Sequence, residues 1–193
     1  MYLLKKIIYL IFCKILFNVK YVNKNLEKNI GRCVICPNHL SFADPMFIFA
    51  DMKDIAIMAK VELFKNKLIT WLAKYFKIFP IRRGEKDAKS ILHAVNILES
   101  KKAERLLVFP EGTRVKNGEK VRPKIGAVYI ALKTELPILP VRIIKHNPKK
   151  KIFTKITVIY GNPLNLDSSK IKDKEYLHNV TDEMMKDIYK LKW

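Results

Sequence analysis

Ile30-Gly31-Arg32-Cys33-Val34-Ile35-Cys36-Pro37-Asn38-His39-Leu40-Ser41-Phe42-Ala43-Asp44-Pro45 is the stretch on which the fold turns. Ile30–Cys36 reads as a buried strand that ends at Pro37. The polar residues after it then occupy the loop and helix start just beyond a strand end, a usual place for chemistry in α/β folds. His39 and Asp44 are the parts of a general base and the group that orients it. Imidazole titrates near neutral pH and takes a proton from a hydroxyl at modest cost. A carboxylate on its other ring nitrogen fixes the tautomer and stabilises the imidazolium as it forms. A His and an Asp at this spacing also occur by chance, so the pair gains its weight from motifs further along the chain.

Downstream, strand and helix patterns alternate. Phe47 to Ala50 continues as helix, and Ile55–Met58 is a short strand. Glu62–Lys77 has helical spacing through Leu63, Leu68, Leu72 and Phe76. Ile78–Ile81 is another strand, stopped by Arg82-Arg83-Gly84, and residues 86–100 suit a helix. Leu106–Phe109 is a strand ended by Pro110-Glu111-Gly112. Gly126–Leu132 is helical, Ile138–Val141 a strand, and Ile152–Tyr160 a longer alternating strand. Residues 173–191 form a polar, amphipathic final helix. The prediction is an α/β fold: a mixed, largely parallel twisted sheet flanked by helices.

The chain has 193 residues, of which 49% are hydrophobic, enough for one domain with a real core. Its formal net charge is +20, carried mostly by lysine. A basic coding bias on a solvated surface accounts for such a charge. So do a nucleic-acid surface, an anionic membrane surface or an anionic substrate. No RNP-like, zinc-finger or helix-turn-helix signature is present, so no nucleic-acid partner is expected. The three cysteines, Cys13, Cys33 and Cys36, form no regular disulfide framework and suit a reducing compartment. Cys33 and Cys36 on one strand point to opposite faces and cannot share a metal, so no metal site is expected.

Residues 2–19 read YLLKKIIYLIFCKILFNV. Lysines interrupt the apolar content, and the run from Ile7 to Cys13 is far short of the roughly 20 residues a spanning helix needs. In helical projection Leu4, Ile8, Ile11 and Ile15 form one stripe, while Lys5, Lys6, Lys14, Asn18 and Lys20 share the other side, mixed with Leu10, Leu16 and Phe17. That pattern predicts an amphipathic helix lying in a membrane interface, with lysines toward anionic headgroups; an ordinary core-packing helix, a true span or a secretory signal are the alternatives. The chain then divides into a membrane-associating helical segment, residues 1–28, and a catalytic domain, residues 29–193.

Three stretches share one design: an apolar strand, a sharp turn, then polar groups. The first holds His39 and Asp44. The second is Phe79-Pro80-Ile81-Arg82-Arg83-Gly84 and the third Phe109-Pro110-Glu111-Gly112-Thr113-Arg114. Gly84 and Gly112 permit tight turns and close approach of backbone to a ligand. Arg82, Arg83 and Arg114 carry forked donors suited to phosphate oxygens. Thr113 adds a hydroxyl, and Glu111 is placed to orient an arginine or a substrate hydroxyl. His93, His146 and His178 lie in unremarkable surroundings.

Together these motifs resemble the glycerolipid acyltransferase family, whose best-known members act on lysophosphatidic acid (1-acylglycerol-3-phosphate). Asn38-His39 and Asp44 match its first motif: His, four residues, then Asp. Arg82 matches the second, and Phe109–Arg114 the third in full. Leu136-Pro137-Ile138-Leu139-Pro140-Val141 looks like the fourth, and Lys124-Ile125-Gly126 suits the basic residue and glycine after the third. The resemblance runs over residues 30–165.

It implies the glycerolipid acyltransferase fold and, as catalytic residues, His39 and Asp44. His39 would deprotonate the free hydroxyl of an acylated glycerol phosphate, which attacks the thioester of acyl-CoA or acyl-carrier protein. Glu111, Gly112, Thr113 and Arg114 would bind the glycerol phosphate, with Arg82, Arg83 and Lys60 assisting. No bound cofactor is implied, because the acyl donor is a co-substrate. The expected partners are an anionic membrane surface at the cytoplasmic face, a lysophospholipid acceptor and acyl-carrier protein. Glycerol 3-phosphate, another lysophospholipid or a lyso-ornithine lipid are alternative acceptors. A basic membrane- or nucleic-acid-binding protein without catalysis is the rival reading, and it leaves the His/Asp loop and the arginine turns unexplained.

Overall fold

The computed structural model describes residue 7 and residues 9–65, 67, 70, 73, 77–81, 87–115, 119 and 121–192. The strand expected over Ile30–Cys36 forms as β2, Cys33–Pro37, and all five of its residues are buried. It sits inside a seven-stranded sheet of order β1-β7-β6-β2-β5-β3-β4. The other strands are β1 (Phe17–Val22), β3 (Ile55–Lys60), β4 (Ile78–Ile81), β5 (Arg105–Leu107), β6 (Ile138–Lys145) and β7 (Thr154–Tyr160). From β6 to β4 every pairing is parallel. β7 turns back antiparallel to β6, and β1 pairs parallel with β7. The mixed, largely parallel sheet is thus as expected.

The helices are α1 (Lys24–Ile30), α2 (Asp44–Asp51), α3 (Asp87–Glu99), α4 (Gly126–Thr134) and α5 (Lys174–Lys190). Alternation along β2 divides the core in two. Cys33 and Ile35 pack with Phe47 and Ile48 of α2, and with Met52 just after it, on one face. Val34 and Cys36 pack with Leu98 of α3, Val128 of α4 and Ile188 of α5 on the other. The two cysteines therefore face opposite layers. Burial raises the Cys33 thiol to about 12 and pushes Cys36 up as well, so both are inert protonated packing groups.

The amino terminus differs from its sequence reading. A short π-helix, Tyr9–Leu16, gives way at Phe17 to the edge strand β1. Helical projection placed Asn18 and Lys20 on one helix face, but register with β7 places them opposite Lys155 and Thr157. Pairing with a distant strand has overridden local pattern. The sheet therefore begins before residue 29, and α1 spans the boundary expected there. Among the described residues no helix is long and apolar enough to cross a membrane. Leu4, Lys5, Lys6 and Ile8 of the expected amphipathic face lie outside the described residues. Of the helix expected over Glu62–Lys77, Val61–Lys65 is a 3-10 turn, and much of the remainder also lies outside them.

Where β2 ends, Asn38 replaces the missing backbone pairing. Pro37 sits opposite Val141 on β6. Beyond it the buried Asn38 carboxamide donates to the Ile143 carbonyl at 3.0 Å and accepts from the Ile143 N–H at 2.7 Å. The side chain continues the ladder one rung past the point where the main chain leaves it, and so fixes where the next residue, His39, emerges. Asn38→Ala leaves both Ile143 groups unpaired in the core. It is expected to cost roughly 2–4 kcal/mol of stability in chemical denaturation.

Candidate active site

The chain leaves β2 into α2 on one face of the sheet and leaves the neighbouring β5 into α4 on the other. Such a switch point, at the carboxyl ends of the two strands, is where open α/β sheets bind their ligands. The His39 loop reaches it from β2, and the Phe109–Arg114 turn reaches it from β5.

His39 is held from three directions. Its Nδ1 lies 2.9 Å from Asp44 Oδ2. Its ring stacks on Phe109 with centroids 4.0 Å apart and planes 27° from parallel. Its backbone N–H donates to Glu111 Oε2 at 2.7 Å. A carboxylate accepts and does not donate, so Nδ1 carries the proton of neutral His39 and Nε2 carries the lone pair. Asp44, only 1% exposed, opens α2 and reaches back over the loop. Its Oδ2 also accepts from the Leu40 and Ser41 N–H groups at 2.6 and 2.7 Å, and its Oδ1 from the Ser41 hydroxyl at 2.7 Å. The spacing of four residues between His39 and Asp44 is what lets one carboxylate gather the loop and the imidazole together.

The second turn is built as tightly. The Gly112 N–H closes a β-turn onto the Phe109 carbonyl at 3.0 Å. Gly112 has φ +64°, and a Cβ there would meet the Lys124 side chain at 3.2 Å, so both backbone and space call for glycine. The Lys124 N–H holds the Pro110 carbonyl at 2.7 Å, and the Val115 N–H holds the His39 carbonyl at 2.8 Å. That last bond brings the backbone after Arg114 against the base itself. Thr113 and Arg114 are exposed, as groups that meet an anionic ligand should be.

Glu111 is buried beneath the turn and links both loops to the last helix. One oxygen takes the His39 N–H and the other the Tyr189 hydroxyl of α5. Burial raises the Glu111 carboxyl above its ordinary range, and the Tyr189 and His39 bonds oppose that rise. It thus holds the backbone of the base; the sequence reading aimed it at an arginine or a substrate hydroxyl.

Of the residues expected in the site, His39, Asp44, Glu111, Gly112, Thr113 and Arg114 come together here. The Lys60 backbone ends β3 on the same sheet edge, next to β4 and one strand beyond β5. Its side chain lies outside the described residues, as do Arg82 and Arg83. Asn38, Ser41, Phe109 and Tyr189 were not singled out as site residues. Asn38, Ser41 and Phe109 lie inside the motifs and were legible as neighbours, but nothing local marks Tyr189. His93 packs edge-on against Phe79, and His146 bonds the Thr157 hydroxyl, both outside this cluster. Among the described residues no group of three or more His, Cys, Asp or Glu is placed to hold a metal.

Tyr189→Phe removes a charge-assisted bond and is expected to destabilise the protein by roughly 1–2 kcal/mol. The sign with pH is set by Glu111. Its folded carboxyl is raised, so the folded state holds that proton more tightly than the unfolded chain does, and ionisation opposes folding. Losing the Tyr189 donor raises it further. The deficit of the variant should therefore be small below about pH 4 and grow as pH rises through the carboxyl's folded-state value. Denaturant unfolding across that range checks both size and direction.

A family model described as Acyltransferase matches residues 18–144. A 1-acyl-sn-glycerol-3-phosphate acyltransferase of Bacillus subtilis is 32% identical, over 90% of this chain and 87% of that protein. One from Streptococcus pneumoniae is 28% identical, over 97% of this chain and 71% of that protein. The crystal structure of the 1-acyl-sn-glycerophosphate (LPA) acyltransferase PlsC from Thermotoga maritima superposes with a TM-score of 0.68 at 24% identity. It covers 91% of this chain and 73% of that one, a likeness of fold.

Proposed function

The chain belongs to the acyltransferase family, and from that membership we propose that it acylates the free hydroxyl of 1-acylglycerol-3-phosphate, making phosphatidic acid for phospholipid synthesis. The observation that carries the reading is the Asp44–His39 pair with Nε2 left as the basic nitrogen. Nε2 takes the proton of the acceptor hydroxyl as its oxygen attacks the thioester carbonyl. When the tetrahedral intermediate collapses, the C–S bond breaks and the imidazolium returns its proton to the leaving thiolate. The hydroxyl that most nucleophilic mechanisms take from an enzyme serine comes here from the lipid, so no acyl-enzyme forms.

Thr113 and Arg114, presented by the Gly112 turn, bind the acceptor phosphate, with Arg82, Arg83 and Lys60 as further donors. Backbone N–H groups near the second motif stabilise the oxyanion, a role worth several kcal/mol where a donor is well aimed. The donor is acyl-CoA or acyl-carrier protein, used as a co-substrate with no bound cofactor. The enzyme works at the cytoplasmic face of an anionic membrane, where its acceptor resides, held there by its amino-terminal segment. The exposed Leu10, Ile11 and Ile15 of the π-helix support that placement.

A panel that crosses donors with acceptors tests the proposal. Lysophosphatidic acid, glycerol 3-phosphate, another lysophospholipid and a lyso-ornithine lipid are each offered with labelled acyl-CoA and acyl-carrier protein. Phosphatidic acid from lysophosphatidic acid is the expected main product. A preference for any other acceptor would reassign the substrate, and no transfer to any of them would overturn the activity.

A further inference from the structure

β6 pairs with β2 as far as Pro37 opposite Val141 and then runs on to Lys145, about 13 Å further at the usual rise per residue. The hairpin that joins it to β7 therefore projects past the strand end from which the His39 loop departs. β1 begins at the same edge, with Phe17 opposite Thr154. The Phe153 N–H donates to the Leu16 carbonyl at 2.7 Å, so the end of the π-helix meets the hairpin tip. Ile15 is exposed beside this junction.

The tip reads Lys149-Lys150-Lys151-Ile152-Phe153, and every one of these residues is exposed. Phe153 is 62% exposed and Ile152 42%. The turn is ordered by its own bonds: the Asn147 carboxamide accepts from the Lys149 and Lys150 N–H groups, and the Thr154 hydroxyl accepts from the Asn147 N–H. Phe153 holds φ +55°, an uncommon and unfavourable conformation for a bulky residue. In water its exposure adds a second cost. Phe42, in the His39–Asp44 loop, is likewise 62% exposed. Two aromatic side chains and two isoleucines thus lie bare on the edge that carries the base, with three consecutive exposed lysines directly before Ile152 in the chain.

We propose that the β6–β7 hairpin tip is a second membrane-docking element, built for an anionic bilayer. Ile152 and Phe153 enter the boundary between headgroups and acyl chains, and Lys149, Lys150 and Lys151 engage anionic headgroups. Phe42 touches the same surface from the catalytic loop, so His39 faces the layer from which its acceptor comes. An acidic protein would satisfy the lysines, but it gives no reason to leave Ile152, Phe153 and Phe42 bare. The inference rests on the proposed use of a membrane-borne acceptor.

The test uses the full chain and two variants away from the catalytic residues, I152S/F153S and K149Q/K150Q/K151Q, with thermal melts confirming their fold. Sedimentation with vesicles of phosphatidylcholine and phosphatidylglycerol should show about tenfold weaker binding for the first. The lysine variant should lose about tenfold or more on these vesicles and little on pure phosphatidylcholine. Both should be slow on lysophosphatidic acid held in vesicles and near the wild-type rate on the same lipid in detergent micelles. Wild-type vesicle binding by I152S/F153S overturns the proposal. So does a lysine variant that binds vesicles normally but fails only with acyl-carrier protein, because the tip then docks an acidic protein. If the wild-type chain makes no phosphatidic acid in either presentation, the proposed function fails, while the sedimentation series still decides the docking surface.

Discussion

Replacing His39 with alanine is expected to lower kcat about a thousandfold, with the protein still folded and KM for the acceptor little changed. The imidazole is the one group in the cluster that is both held in place and left with a basic nitrogen. Asp44 claims its Nδ1, Phe109 covers one ring face, and the Glu111 bond fixes its backbone. Phosphate recognition by the 109–114 turn survives, because the turn's own closing bonds do not use the side chain of His39. The loss should therefore fall on the chemical step. Steady-state kinetics on vesicle-borne lysophosphatidic acid measures it, and circular dichroism verifies the fold. A variant within a few-fold of wild type would remove His39 from the mechanism.

Asp44→Asn is expected to cost on the order of a hundredfold in kcat. The amide can keep one oxygen at the Oδ2 position, where His39 and the Leu40 and Ser41 N–H groups converge, and turn its NH2 toward the Ser41 hydroxyl. Loop geometry is then retained while the charge that stabilises the imidazolium is gone. Asp44→Ala should do worse, because it strands two backbone donors as well, and its loss should appear in stability as much as in rate. Measuring kcat and unfolding free energy for both variants separates the electrostatic from the structural contribution. An Asn variant at the wild-type rate, beside an Ala variant that loses stability, would mean that Asp44 serves the loop alone.

Much of this site was legible in the sequence because its parts are local. A buried strand, a proline and a His/Asp loop lie within one stretch of chain, and Phe109–Arg114 repeats that grammar. The central strand β2 is buried on both faces, so its apolar run has no competing reading. β1 was not read, because no turn signal separates Phe17–Val22 from the helical pattern before it and its pairing partner, β7, lies far along the chain. Long-range pairings hid the rest. Asn38 reads as a neighbour of the base until Ile143 arrives beside it, and Tyr189 reads as one more aromatic on the last helix until Glu111 does. The bonds of Glu111 to the His39 N–H and the Tyr189 hydroxyl were hidden for the same reason.

The most direct test of the account is a single-turnover experiment with lysophosphatidic acid in vesicles and an acyl donor labelled in its acyl chain. Attack by the lipid hydroxyl, activated by His39, predicts label passing from thioester to phosphatidic acid with one free thiol released per product. It also predicts no label on the protein, whether or not acceptor is present. Label trapped on the protein before acceptor is added, or no phosphatidic acid from either acyl-CoA or acyl-carrier protein, would contradict it.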